Sequence, residues 1–150
     1  MMEGQMWQPP VGPGAGAIAA YRRAAAQTGS PGEQIVMLYE GAIRSLHAAR
    51  KAIVHGQIEE RHREVRRAFA IVGGLQACLD FERGGDVARL LDRFYGYVLT
   101  RLPQIDLLND PAICSELAER LEEMRTSWSA IARPGTPAAP AVPARPSAVA

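Results

Sequence analysis

Residues 30–56 read SPGEQIVMLYEGAIRSLHAARKAIVHG, and this stretch decides the fold. Ser30-Pro31-Gly32-Glu33 has the form of a capping box: serine at the N-cap, proline at the first helical position, and glutamate reaching back from the third. From there Ile35, Tyr39, Ala42, Leu46, Ala49 and Ile53 recur at alternating spacings of four and three. That is the apolar stripe of a bundle helix. Gly56 is a natural stop just past His55.

The same grammar continues outward. A second helix is expected from about Gln57 to about Glu82, with Val65, Ala68, Val72, Leu75 and Leu79 facing inward and Gly84-Gly85 as its breaker. A third runs from about Asp86 to Leu108 through Val87, Leu91, Phe94, Val98 and Ile105, and is interrupted by Pro103, where a kink would shift Ile105 to Leu108. Asp110 caps a fourth, with Pro111 at its first position and Ile113, Leu117, Leu121, Met124, Trp128 and Ile131 along its stripe. Nothing alternates with the period of two that a strand requires. Four long helices joined by tight turns must run antiparallel to their neighbours. The fold class is therefore all-α: an up-down-up-down four-helix bundle. Ala17 to Gln27, bearing Ile18 and Tyr21, adds a short N-terminal helical segment.

Composition divides the chain into three. Residues 1–16 are rich in Gly and Pro, and residues 133–150 carry five prolines and six alanines, so both ends are expected to be disordered. The domain occupies 17–132. Across all 150 residues, 47% are hydrophobic and 22% charged, as in ordinary globular proteins. Seventeen basic against sixteen acidic side chains give a net charge of +1, without the basic excess of a nucleic-acid binder or a polybasic membrane-surface protein. Gly4 to Tyr21, the longest uncharged run, is broken by Pro9, Pro10 and Pro13, so neither membrane insertion nor a signal peptide is expected and the location reads as cytoplasmic. Cys78 and Cys114 form neither a disulfide scaffold nor a zinc quartet and read as reduced, buried thiols.

Catalytic and metal readings fail on spacing. Glu59-Glu60-Arg61-His62 holds one Glu-x-x-His, whereas a di-iron bundle needs two plus two further inward glutamates. His62 also lies among Arg61, Arg63, Arg66 and Arg67, a poor place for a divalent cation. His47 and His55 have no Cys or carboxylate at ligand spacing, so neither a metal nor a cofactor is expected. Gly12, Gly14 and Gly16 follow prolines rather than a strand and lack the lysine of a phosphate loop. No nucleophile elbow is present, and no cysteine has a convincing histidine partner. The chain does not read as an enzyme.

What stands out is apolar surplus. Leu90, Leu91, Phe94, Tyr95, Tyr97, Val98, Leu99 and Leu102 in the third helix cover more than one face, as do Phe69, Ala70, Ile71, Val72, Leu75, Ala77, Cys78 and Leu79 in the second. Either this is generous core, or the two helices carry a second, partner-facing groove. Gly73-Gly74 costs about 1 kcal/mol per glycine inside a helix. Close helix packing or close approach of a ligand backbone would each offset it.

Together these residues resemble the FliS-type flagellar secretion chaperones. The resemblance rests on Tyr21 followed by Ser30-Pro31-Gly32-Glu33 and Met37-Leu38-Tyr39-Glu40-Gly41-Ala42, then Ala49-Arg50-Lys51-Ala52-Ile53 and Gly56. It continues in Gly84-Gly85-Asp86-Val87-Ala88, Phe94-Tyr95-Gly96-Tyr97-Val98 and Arg101-Leu102, and ends with Asn109-Asp110 and Trp128. It covers about residues 18–132. The resemblance implies a cytoplasmic bundle that binds the disordered C-terminal segment of flagellin in a hydrophobic groove, prevents its premature polymerisation and hands it to the flagellar export apparatus. Other flagellar regulators are further partners on this reading, and without client the chain would be a monomer or weak dimer. The residues expected to touch the client are Phe69, Val72, Leu75 and Leu79 on the second helix, with Leu91, Tyr95, Val98 and Leu102 on the third. Tyr21 matches the family's recurrent tyrosine, on a flap that covers the client surface when it is empty. The rival readings are a bundle adaptor for another secreted or regulatory protein, a metal-dependent bundle enzyme and a structural homo-oligomer.

Overall fold

The structure, a computed structural model, describes residues 31–132. Four helices follow one another: α1 (Pro31–Val54), α2 (Ile58–Ala77), α3 (Phe81–Leu108) and α4 (Pro111–Ala132). There is no strand among the described residues. α1 packs against α2 and α4, α2 against α3, and α3 against α4, which closes the ring. Contacts between helices run in opposite directions: Arg61 near the start of α2 meets Asp106 near the end of α3, and Glu40 near the start of α1 meets Arg125 near the end of α4. The bundle is up-down-up-down, as the periodicity requires.

Its ends are built by local chemistry. α1 begins at Pro31 as expected; the serine proposed to cap it lies outside the described residues. Past His55, Gly56 takes φ +70° and donates its N–H to Ile53, stopping the helix. Asn109 ends α3 in the same left-handed region, at φ 52°, with its N–H on the Ile105 carbonyl at 2.8 Å. One carboxylate oxygen of Asp110 accepts the N–H of Ala112 at 2.9 Å, capping α4 above Pro111.

One expectation is corrected. α2 ends at Ala77 rather than near Glu82, and the chain turns at Cys78–Asp80. Asp80 is the reason. Its side chain accepts the N–H groups of Glu82 and Arg83, each at 3.1 Å, and so starts a new helix at Phe81, three residues before the glycines. The glycine break then falls inside α3, where Gly85 adopts φ 52° and ψ −125°. Pro103 lies inside α3, near its end. α3 continues to Leu108, and Gly85 is its one residue with non-helical angles. The proline ring faces solvent, while Leu102 and Ile105 on either side are fully buried. Packing holds the last turn where one lost backbone hydrogen bond would otherwise loosen it.

The core is drawn from all four helices, with Tyr39, Leu46, Ile71, Val72, Val98, Leu102, Leu117 and Leu121 fully buried. Ile35, Leu79, Phe94, Leu99 and Trp128 pack against its edge. The short helix expected at 17–27 and both tails lie outside the described residues.

Candidate partner-binding surface

The apolar surplus of α2 and α3 divides into two sets. Six of the residues selected from the sequence, Val72, Leu75, Leu91, Tyr95, Val98 and Leu102, are between 0 and 4% exposed and fill the bundle interior. Phe69 is 43% exposed, and Leu79 is half-buried in the turn that follows α2. Tyr21 lies outside the described residues. Periodicity could not separate the two sets, because the stripe facing α1 and the edge facing α3 are contiguous on α2.

Hydrogen bonds locate that edge. On α2, His62 and Gln76 both reach α3: His62 Nδ1 lies 2.9 Å from Asp106 Oδ2, and Gln76 Nε2 donates to Asp92 Oδ1 at 3.1 Å. Phe69 is seven residues from each, so it sits on the same side of the helix, two turns from either contact. On α3, Leu99 is likewise seven residues from Asp92 and from Asp106. The seam between α2 and α3 therefore reads polar, apolar, polar along its length, with Phe69 level with Leu99 in the middle. Leu99 is half-buried against the core, so the exposed apolar surface belongs mainly to Phe69.

Glycines leave room beside this pair. A Cβ added at Gly73, one turn beyond Phe69, would meet nothing within 4 Å, and one at Gly96 would approach only the Gln76 side chain at 3.9 Å. Gly74 is buried. The two adjacent glycines thus face different surroundings: one is covered by the bundle, the other opens outward.

The seam between α3 and α4 is polar. Tyr97 donates its hydroxyl to Glu116, and Arg101 Nη2 donates to the same carboxylate at 2.8 Å. Partial burial would raise the Glu116 pKa, but the hydrogen bonds from Arg101 and Tyr97 outweigh it and hold the carboxyl below its usual range. The bond to Glu116, together with partial burial, pushes the Tyr97 phenol up. Arg101 Nε is buried without a hydrogen-bond partner, the one such side-chain atom among the described residues.

Burial pushes the Cys114 thiol up to about 11, away from the thiolate form that reacts. His62, from the solitary Glu-x-x-His, shares the Asp106 carboxylate with Arg61, whose Nε lies 2.8 Å from Oδ1. Among the described residues no three His, Cys, Asp or Glu side chains gather as a metal site. No described helix is long and apolar enough to cross a membrane.

Fold and surface together define an all-helical bundle that offers apolar surface in a seam between neighbouring helices. The family described as "Flagellar protein FliS" matches residues 14–135, and the chain belongs to that family, one of flagellar secretion chaperones. It is 36% identical over 102 residues to the flagellar secretion chaperone FliSB of Pseudomonas aeruginosa, a match covering 68% of this chain and 81% of the relative. Flagellar secretion chaperone FliS of Vibrio cholerae is 29% identical over 77% of this chain and 88% of its own length. That of Salmonella typhimurium is 33% identical over 78% and 90%.

Proposed function

We propose that this chain is a cytoplasmic, non-enzymatic export chaperone that holds the C-terminal segment of flagellin along the α2–α3 seam, prevents its premature polymerisation and delivers it to the flagellar export apparatus. The observation that carries the reading is the exposure of Phe69 at 43%, in a seam whose flanking polar side chains are already hydrogen-bonded to one another. A fixed polar frame around an apolar centre suits a client that brings apolar side chains and gains little from new hydrogen bonds. Phe69 and Leu79 are the direct contacts, with Leu99 beside them. Val72, Leu75, Leu91, Tyr95, Val98 and Leu102 form the packed floor beneath. Tyr21 covers the seam when no client is bound.

Calorimetry tests this directly, with the full chain titrated by a peptide covering about the last 40–50 residues of the host's flagellin. One-to-one binding with a negative heat-capacity change is expected, the mark of apolar burial coupled to folding of the client. Absence of heat at several temperatures, with the bundle folded, would overturn the reading.

A further inference from the structure

The polar bridge from Tyr97 and Arg101 to Glu116 lies towards the end of α3 and the start of α4. Towards the start of α3 the same edge turns apolar. Leu90 stands seven residues before Tyr97, and Phe94 and Val87 stand seven and fourteen before Arg101, so all three share the side of α3 that faces α4. Val87 and Tyr97 are 42 and 41% exposed, while Leu90 and Phe94 are half-buried. Of the neighbouring helix pairs, α3 and α4 share the least contact, which leaves this row open along the seam. Phe94 and Tyr97 set two aromatic rings one turn apart in it, and the bond to Glu116 fixes the second.

The chain beyond α4 starts at the open end of this row. Counting back from the Arg101–Glu116 contact in antiparallel register, Phe94 is level with Glu123 and Val87 with Ala130. α4 ends two residues later, at Ala132. Arg133-Pro134-Gly135-Thr136 follows, with proline and glycine at the two central positions of a type II turn, which reverses a chain. Proline then recurs at every third residue: Pro137, Pro140, Pro143 and Pro146. A polyproline II helix has three residues per turn, so this period sets all four rings on one face. Such a ridge suits an aromatic-lined groove, because little conformational freedom remains to be lost on docking.

We infer that residues 133–146 turn back at Pro134-Gly135 and lie along the α3–α4 seam as a polyproline II strand, with the proline ridge on Val87, Leu90, Phe94 and Tyr97. The lengths agree. Pro137 to Pro143 spans about 19 Å at 3.1 Å per residue, against about 15 Å from Val87 to Tyr97 at 1.5 Å. Position and direction select this segment: it leaves α4 beside Val87, and one reversal sets it running along α3 towards Tyr97. It carries Arg133 and Arg145 and no acidic residue, so Glu116 and Glu123 on the α4 edge do not repel it. Asp92, Leu99 and Asp106 mark the other side of α3, so a docked tail leaves the α2–α3 seam open.

Nuclear magnetic relaxation of the full chain tests this at Ala139, Ala141 and Val142, whose N–H groups lie between the prolines. Their backbone order parameters should exceed about 0.6, the level below which a backbone is flexible. Ring protons of Tyr97 should show nuclear Overhauser contacts to Pro140 or Pro143. Val87→Asp, at an exposed position, should bring the order parameters below about 0.6 with circular dichroism unchanged. Pro140→Asp combined with Pro143→Asp, outside the bundle, should do the same. Wild-type values below about 0.6 overturn the inference. Values that fall on dilution overturn it by seating the tail on a second copy, and ring contacts to Phe69 overturn it by seating the tail on the other seam. An ordered tail indifferent to Val87→Asp overturns it as well. So does a flagellin peptide that contacts Val87 and Phe94 beside a free tail, since the row would then belong to the client.

Discussion

The hydroxyls of Tyr39 on α1 and Tyr95 on α3 meet 2.6 Å apart inside the bundle, where both residues are at most 2% exposed. The pair spans the diagonal: α1 and α3 share no direct backbone contact, and these two side chains bridge the space between them. Each phenol is polar in an apolar surrounding, and each is satisfied by another buried group rather than by water. Such a pair fixes how α1 and α3 sit relative to one another, because sliding either would leave a buried hydroxyl unpaired.

Removing one hydroxyl should cost more than removing both in proportion. Tyr95→Phe leaves the Tyr39 hydroxyl without its partner and should lower stability by about 1–3 kcal/mol. Tyr39→Phe strands the Tyr95 hydroxyl in the same way. The double variant should cost less than the sum of the singles, giving a coupling of about 1 kcal/mol in a double-mutant cycle of denaturant midpoints. Strict additivity would mean that the two hydroxyls do not interact.

Alkaline pH should unfold the bundle through the same pair. Burial raises the Tyr39 pKa well above its ordinary value, with Tyr95 as a further cause, and burial likewise raises that of Tyr95. In the unfolded chain both phenols lose their protons near pH 10, while in the folded chain they keep them. The folded state then binds more protons, so stability is fully present below about pH 10 and falls as pH rises beyond it. Each phenol contributes a slope of about 1.4 kcal/mol per pH unit until its folded pKa is reached. Chemical denaturation at pH 8 to 11.5 should show the fall beginning near pH 10, and Tyr95→Phe should reduce its slope. A bundle whose stability is flat to pH 11.5 would show that these phenols ionise in place.

Aspartate substitutions should separate the surface of the seam from its floor. Phe69→Asp places a charge at a half-exposed position and should leave the circular dichroism of a folded bundle while weakening flagellin-peptide binding by at least about tenfold. Val98→Asp puts the same charge where nothing is exposed, and should unfold the chain or cost more than about 4 kcal/mol. Loss of binding in a folded Val98→Asp variant would move that residue from the floor to the contact surface.

These two positions show what periodicity can resolve. Helix existence, order and direction follow from caps and stripes, since Pro31, Gly56, Asp110 and Pro111 act within one turn of themselves. Where α2 ends was harder to read, because Asp80 and Gly84-Gly85 both signal a boundary and the side-chain cap acts first. Pro103 is carried within α3, with Leu102 and Ile105 on either side buried. Sorting Phe69 from Val72 needed the register between helices. That register lies in long-range pairs such as Gln76 with Asp92, which no spacing within one helix encodes. In hindsight the seven-residue series His62, Phe69, Gln76 and Asp92, Leu99, Asp106 was the available signal for the seam.

The same substitution, glycine to alanine, should change stability in opposite directions at two places. Gly73 lies within α2 with open space where a Cβ would go, so Gly73→Ala should stabilise the bundle by about 0.5–1 kcal/mol through helix propensity alone. At Gly84 the added Cβ would stand 2.8 Å from the Ala88 Cβ, closer than two carbon atoms can approach. Gly84→Ala must push the first turn of α3 away from the turn that follows, across the Gly85 bend, and should cost about 1–3 kcal/mol. Urea denaturation gives both values, read as shifts of midpoint at constant slope. A destabilising Gly73→Ala would show that the outward face of α2 is already covered in the free protein, as it would be with a flap seated on the seam.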